Sequence, residues 1–121
     1  MKMLPVRIDL SKKAVMVIGS TIQAFRLVRY LSDYTDSLTL LSASPDRDIR
    51  EFCRLNNISL LESPYSREVL YGMDFVFLAS SSGEVTKDAA AICRTMGITL
   101  SVAGCPGKSD FIPEISFDPG H

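Results

Sequence analysis

The five-residue stretches Ala14-Val15-Met16-Val17-Ile18 and Phe75-Val76-Phe77-Leu78-Ala79 carry no polar side chain. Apolar runs that short, each bounded by turn-forming residues, fit strands covered on both faces, as in the middle of a parallel sheet. Parallel strands need crossover segments between them, and the rest of the chain supplies these. Residues 22–32 place Ala24, Leu27, Val28 and Leu31 at i, i+3, i+4 and i+7, one stripe of a helix. Pro45 and Asp46 open a second helix in which Ile49, Phe52 and Cys53 share a face, and Asn56-Asn57 end it. A third helix over 84–96 aligns Val85, Ala89, Ile92 and Met96 and stops at Gly97. Further strands are expected at 37–41, 58–61 and 98–103, with an extended lead-in at 5–10, a connection through Pro64-Tyr65 and a candidate sixth strand at 111–117. This alternation predicts an α/β fold: a Rossmann-type doubly wound parallel sheet forming a single domain over residues 1–121.

The chain has 121 residues, 46% of them apolar, enough for one core but not for two domains. A formal net charge of -1 gives no bulk attraction for nucleic acid or an anionic membrane, so neither is expected as a partner. The first residues lack the apolar core of a signal peptide, and no run approaches the ~20 apolar residues of a membrane span. A cytoplasmic location is the resulting expectation. Cys53, Cys93 and Cys105 are odd in number and far apart, which argues for reduced thiols rather than a disulfide framework or a zinc site. No metal site is expected.

In a doubly wound sheet, ligands lie beyond the carboxyl ends of the strands. The first of those ends carries Gly19-Ser20-Thr21-Ile22-Gln23-Ala24, where a G-x-G-x-x-G/A fingerprint would stand. Gly19 supplies the tight turn and Ala24 the close packing of helix on strand, but Thr21 replaces the glycine that lets backbone approach a pyrophosphate. Gly19, Ser20, Thr21, Ile22 and Gln23 are therefore candidate cofactor contacts, with a purely structural turn as the alternative. At the second strand's end Ala43 and Ser44 stand where an acid for the ribose hydroxyls is usual. They are candidate contacts too, and Ser44 or Asp46 is equally a helix cap. Ser80 and Ser81, in the run Ser80-Ser81-Ser82-Gly83, would face a nicotinamide or simply form a turn capping the third helix.

The ordered set Leu4-Pro5 with Asp9-Leu10, Val17-Ile18-Gly19 with Ala24 and Arg26, Ser63-Pro64-Tyr65, Ala79-Ser80, Val102, Pro106 and Asp110-Phe111-Ile112 resembles the amino-terminal domain of siroheme synthase. The resemblance covers essentially the whole chain. It implies a precorrin-2 dehydrogenase of siroheme biosynthesis that uses NAD, and in some members a sirohydrochlorin ferrochelatase. Family members show three glycines where this chain has Gly19-Ser20-Thr21, and a threonine with acidic or amide residues at Ser80-Ser81-Ser82. The aspartate that the family uses for dehydrogenation and metal insertion falls on Gly104, within Ser101-Val102-Ala103-Gly104-Cys105-Pro106. The family's carboxyl-terminal helical half has no counterpart in these residues. A monomer, or a homodimer made through the tail at 111–117, is expected instead.

No catalytic residue is assigned from the sequence. His121, the one histidine, is the last residue. Cys105 is either a reactive thiol or soft ligand at the cleft mouth or a small apolar residue, and Cys53 and Cys93 belong beside the core. Asp110 is either a substitute base or a turn residue, and Lys108 either a carboxylate contact or a surface lysine. Two functions follow. One is NAD-dependent oxidation of precorrin-2 to sirohydrochlorin, with NAD bound weakly. The other is a module without turnover that binds a tetrapyrrole, a nucleotide or another haem-pathway enzyme, with NAD binding weak or absent.

Overall fold

A computed structural model describes residues 3–80 and 82–113. Five strands, β1 (Val15–Ile18), β2 (Leu38–Leu41), β3 (Ser59–Leu61), β4 (Phe75–Leu78) and β5 (Thr99–Val102), form one sheet in the order β3-β2-β1-β4-β5. Every pairing is parallel. The two apolar stretches lie side by side at the centre, with Val15 opposite Phe75 and Ile18 opposite Leu78.

The helices are α1 (Ile22–Leu31), α2 (Arg47–Leu55) and α3 (Gly83–Met96). Helices α1 and α2 cover one face, where Val15, Val17, Leu40 and Phe77 meet Ala24, Leu27, Val28, Ile49 and Cys53. Helix α3 and a 3₁₀ turn at Arg67–Leu70 cover the other, over Met16, Ile18, Val76, Leu78 and Leu100. The stripe expected on α1 is buried at all four positions. On α3 the buried side chains are Thr86, Ala89 and Cys93, while Val85 and Ile92 are half-buried and Met96 is exposed. The stripe is thus rotated from the expected one. Thr86 can be buried because its hydroxyl donates to the Ser82 carbonyl at 2.9 Å, so no polar group is left unpaired.

Local caps account for the helix ends. Asp46 accepts from the Ile49 amide at 2.8 Å to start α2, and Asn57 follows that helix in the left-handed region at φ 56°. Gly97 closes α3 at φ 71°. The 3₁₀ turn, which has no sequence periodicity long enough to announce it, buries Leu70 completely and is tied to α3. Tyr65 donates to Asp88 at 2.6 Å, and Arg67 donates to the other carboxylate oxygen at 2.6 Å. The Tyr65 hydrogen bond and the Arg67 charge hold the Asp88 carboxyl below the usual carboxylate range.

Beyond β5 the chain turns back along the sheet edge, tied to it through the side chains of Ser109 and Asp110. Ser109 accepts from the Val102 amide at 2.8 Å, and Asp110 accepts from the Leu100 amide at 2.8 Å while its own amide donates to the Leu100 carbonyl at 2.7 Å. Phe111 then packs edge-on against Phe75 and Phe77. Residues 111–113 have no strand structure, and the rest of the tail expected at 111–117 lies outside the described residues. Among the described residues no helix is long and apolar enough to cross a membrane.

Candidate functional site

Sheet order reverses between β1 and β4, so the crevice where a doubly wound fold takes its ligand opens at Ile18 and Leu78. Gly19 crosses that point with φ 152°. A Cβ on Gly19 would lie 2.6 Å from the Ala79 carbonyl oxygen and 3.1 Å from the Ala24 Cβ. The glycine is therefore required by the closeness of loop, strand and helix, and Ala24, fully buried, is the small residue that permits it.

Thr21 is the N-cap of α1, its hydroxyl accepting from the Ala24 amide at 3.4 Å. That role explains a threonine at the fingerprint's middle position: the residue has extended backbone, φ -94°, and needs no glycine freedom. Its side chain stands in front of the first turn and shares one of the donors an anion would use. Ile22 and Gln23 are exposed beside it, and Ser20, also exposed, reaches the Ser42 hydroxyl at 2.7 Å. Ser42 directly follows β2. No local pattern announces a contact between residues 22 positions apart.

Ala43 and Ser44 are exposed past the end of β2, and Asp46 rather than Ser44 caps α2. Ser80 is half-buried at the end of β4 and accepts from the Ser82 amide at 3.1 Å. Ser82 in turn caps α3, accepting from the Val85 amide at 3.3 Å. Ser80 and Ser82 therefore hydrogen-bond within the turn that leads into α3, and Ser82 caps the helix. As acceptors, both hydroxyls keep a proton to donate outward. Ser81 lies outside the described residues, as does His121.

A cavity of about 300 Å³ opens at the carboxyl ends of β4 and β5, and it is lined mainly by apolar groups. Gln23 and Leu27 of α1, Phe77, Ser101, Gly104 and Cys105 form part of its wall. Gly104 is exposed and left-handed, φ 75°, with open space where a side chain would go. Asp110, offered above as a substitute base, has its carboxylate engaged with the β5 backbone instead. Lys108 is exposed in a 3₁₀ turn at Pro106–Lys108. Among the described residues no cluster of His, Cys, Asp and Glu could hold a metal ion.

The three thiols are free, with Cys53 and Cys93 buried and Cys105 exposed. Burial pushes the Cys93 thiol up to about 11 and raises that of Cys53 as well. A maleimide at neutral pH should therefore modify one thiol rapidly in the folded protein, and Cys105→Ser should abolish that reaction. Rapid labelling of the Cys105→Ser variant would show that the core opens more readily than this packing allows.

An all-parallel sheet, a glycine turn from β1 into α1 and an apolar cavity at the switch point define a doubly wound domain of the dinucleotide-binding class. The chain belongs to the family described as "Putative NAD(P)-binding", which it matches over residues 6–113. It is 26% identical over 107 residues to the probable multifunctional siroheme biosynthesis protein HemA of Ruminiclostridium josui, a match covering 88% of this chain and 21% of that protein. Among solved structures, SirC, precorrin-2 dehydrogenase, superposes with a TM-score of 0.71 at 19% identity, over 94% of this chain and 54% of SirC. GenD2 from gentamicin A biosynthesis, solved in complex with NAD, gives 0.50 at 13% identity, over 84% of this chain and 37% of GenD2. The chain thus spans about a fifth of the siroheme biosynthesis protein and about half of SirC. The resemblance to the precorrin-2 dehydrogenase family read from the sequence is borne out.

Proposed function

We propose that this chain is an NAD-binding domain of precorrin-2 dehydrogenase type, acting in siroheme biosynthesis on the oxidation of precorrin-2 to sirohydrochlorin. The observation that carries this reading is the juxtaposition of the Gly19 turn with the cavity beside Gly104, one at each side of the switch point. The donor set fits a dinucleotide: the first-turn amides of α1 lack helical partners and favour an anion, and Ser20, Ser80 and Ser82 offer hydroxyl protons. NAD, when bound, supplies the acceptor for hydride. The chain's part is to place the pyrophosphate over residues 19–23, the adenosine end near Ala43 and Ser44, and the nicotinamide end toward Ser80 and the cavity. A tetrapyrrole would then lie against residues 104–111. Three free thiols, two of them buried, fit a reducing compartment such as the cytoplasm.

One observation favours a second reading, binding without turnover. The position that resembles the family's aspartate is Gly104, and the nearest carboxylate in sequence, Asp110, is engaged at the β5 edge. Proton transfer and metal insertion both lack a group to carry them there. Hydride transfer, being the cofactor's chemistry, depends on that carboxylate less.

NAD titration by calorimetry tests the common part of both readings. Thr21 stands before the first turn of α1 and no acid stands directly at the end of β2, where Ser42, Ala43 and Ser44 lie, so the expected dissociation constant is weaker than about 100 μM, or about -5.5 kcal/mol at best. A micromolar constant would contradict the crowding argument. No binding even at millimolar NAD would contradict the dinucleotide reading itself. Turnover of precorrin-2 with NAD then separates the enzyme from the binding module.

A further inference from the structure

The contact between Ser20 and Ser42 has a direction that burial decides. Two hydroxyls 2.7 Å apart share one hydrogen bond, and each brings one proton. Ser42 is 2% exposed and Ser20 is exposed. If Ser20 donated, the Ser42 proton would be left buried without an acceptor, which is costly; if Ser42 donates, both are satisfied, because the Ser20 proton faces solvent. Ser42 therefore donates and Ser20 keeps its own proton for an outside acceptor.

Backbone fixes where that proton is available. Ser42 is anchored by its amide to the Leu61 carbonyl at 3.0 Å, and Gly19, just before Ser20, by its amide to the Leu41 carbonyl at 3.0 Å. Ser20 lies between this anchored glycine and the Thr21 cap, at the mouth of the α1 amides. A hydroxyl that accepts one hydrogen bond is a stronger donor in the next, more so toward a charged oxygen.

Resting on the proposed dinucleotide site, we infer that Ser42 is a positioning residue that turns the Ser20 hydroxyl outward as a donor to a pyrophosphate oxygen of NAD. The pair takes over anchoring that a glycine at the Thr21 position would give through backbone. It also ties the loop to β2, where no acid is available to hold the ribose.

The test is NAD titration of the full chain, followed by NMR because the affinities are weak, with thermal unfolding measured in parallel. Ser20→Ala and Ser42→Ala should each weaken NAD binding by about tenfold or more, and the double variant should lose no more than the worse single one. Ser20→Thr, which keeps a hydroxyl at an exposed position, should bind and unfold like the parent, whereas Ser20→Ala, which strips the buried Ser42 proton of its acceptor, should unfold at a lower temperature and is titrated well below that transition. A Ser20→Ala variant that binds NAD as the parent does overturns the inference and leaves the proposed function standing, whatever Ser42→Ala does. If Ser42→Ala does not fold, Ser42→Cys, close in size but a weak donor, takes its place, and a folded Ser42 variant that binds NAD as the parent does overturns the role given to Ser42. A parent chain that binds no NAD overturns both.

Discussion

Gly19→Ala is expected to destabilise the domain by about 2–5 kcal/mol, the sum of an overpacking cost of about 1–3 kcal/mol and a positive-φ backbone cost of about 1–2 kcal/mol. The cause is specific. A Cβ there would sit 2.6 Å from the Ala79 carbonyl oxygen, a distance that real Cβ atoms do not tolerate, and the oxygen belongs to backbone rather than to a side chain that could swing away. Nor can Ala79 withdraw freely, because its amide donates to the Ile18 carbonyl at 2.8 Å and so continues the β1–β4 pairing. The Ala24 Cβ closes the other side at 3.1 Å. Relief would require separating the two central strands or lifting α1 from the sheet. A native stability of about 5–15 kcal/mol leaves little room for this, so a large fall in the denaturant midpoint is expected, with loss of NAD binding in the fraction that stays folded. A change under about 1 kcal/mol would mean that the turn has slack which this packing does not show.

Why Gly19 could be singled out from sequence, and Ser42 could not, shows what patterning transmits. Central strands covered on both faces must be apolar at every position, so β1 and β4 stand out with no knowledge of their neighbours. The α1 stripe is legible for the same reason, and so are the ends of α2 and α3, because Asp46, Asn57 and Gly97 act on backbone groups within a turn of themselves. Legibility fails where a polar residue is satisfied out of sight. Thr86 reads as polar and is buried, since its own helix accepts its proton; this shifts the apparent face of α3 away from the true one. Ser109 and Asp110 read as loop residues, but with two side-chain oxygens they do the work of an edge strand on β5. The Ser20–Ser42 bond joins the ends of two strands through side chains too short to have any periodic signature. The site was thus legible as a place, from the turn and the strand ends. The hydrogen bonds that would make it work were not.

On the proposed function, Gly104→Asp tests whether a carboxylate at this position is enough for precorrin-2 turnover. Were the turn extended, restoring aspartate would be expected to restore precorrin-2 oxidation or iron insertion. The turn is left-handed, φ 75°, and a side chain there costs about 1 kcal/mol in strain, with aspartate among the residues that bear it best. Strain is the smaller obstacle. A Cβ at Gly104 would meet nothing within 4 Å, so a carboxylate added there has no neighbour at its root to fix its orientation. A general base gains its effect from being held within hydrogen-bond reach of the proton it removes, and a group free to rotate in open space forfeits most of the about 10²–10⁴-fold that such catalysis gives. Gly104→Asp is therefore expected to lower stability by about 1 kcal/mol while raising precorrin-2 turnover by less than about tenfold, with Cys105→Ala changing little in either background. A hundredfold gain would show that the cavity wall or the substrate itself orients the new carboxylate, and that the cleft needs nothing else. A parent chain that already turns over precorrin-2 at about 1 s⁻¹ or faster would show that the reaction here runs without a carboxylate at that position. The proton would then have to pass to a group on the substrate side of the cavity, and the Ser80 and Ser82 hydroxyls, each with a proton free to relay, would be the first to replace.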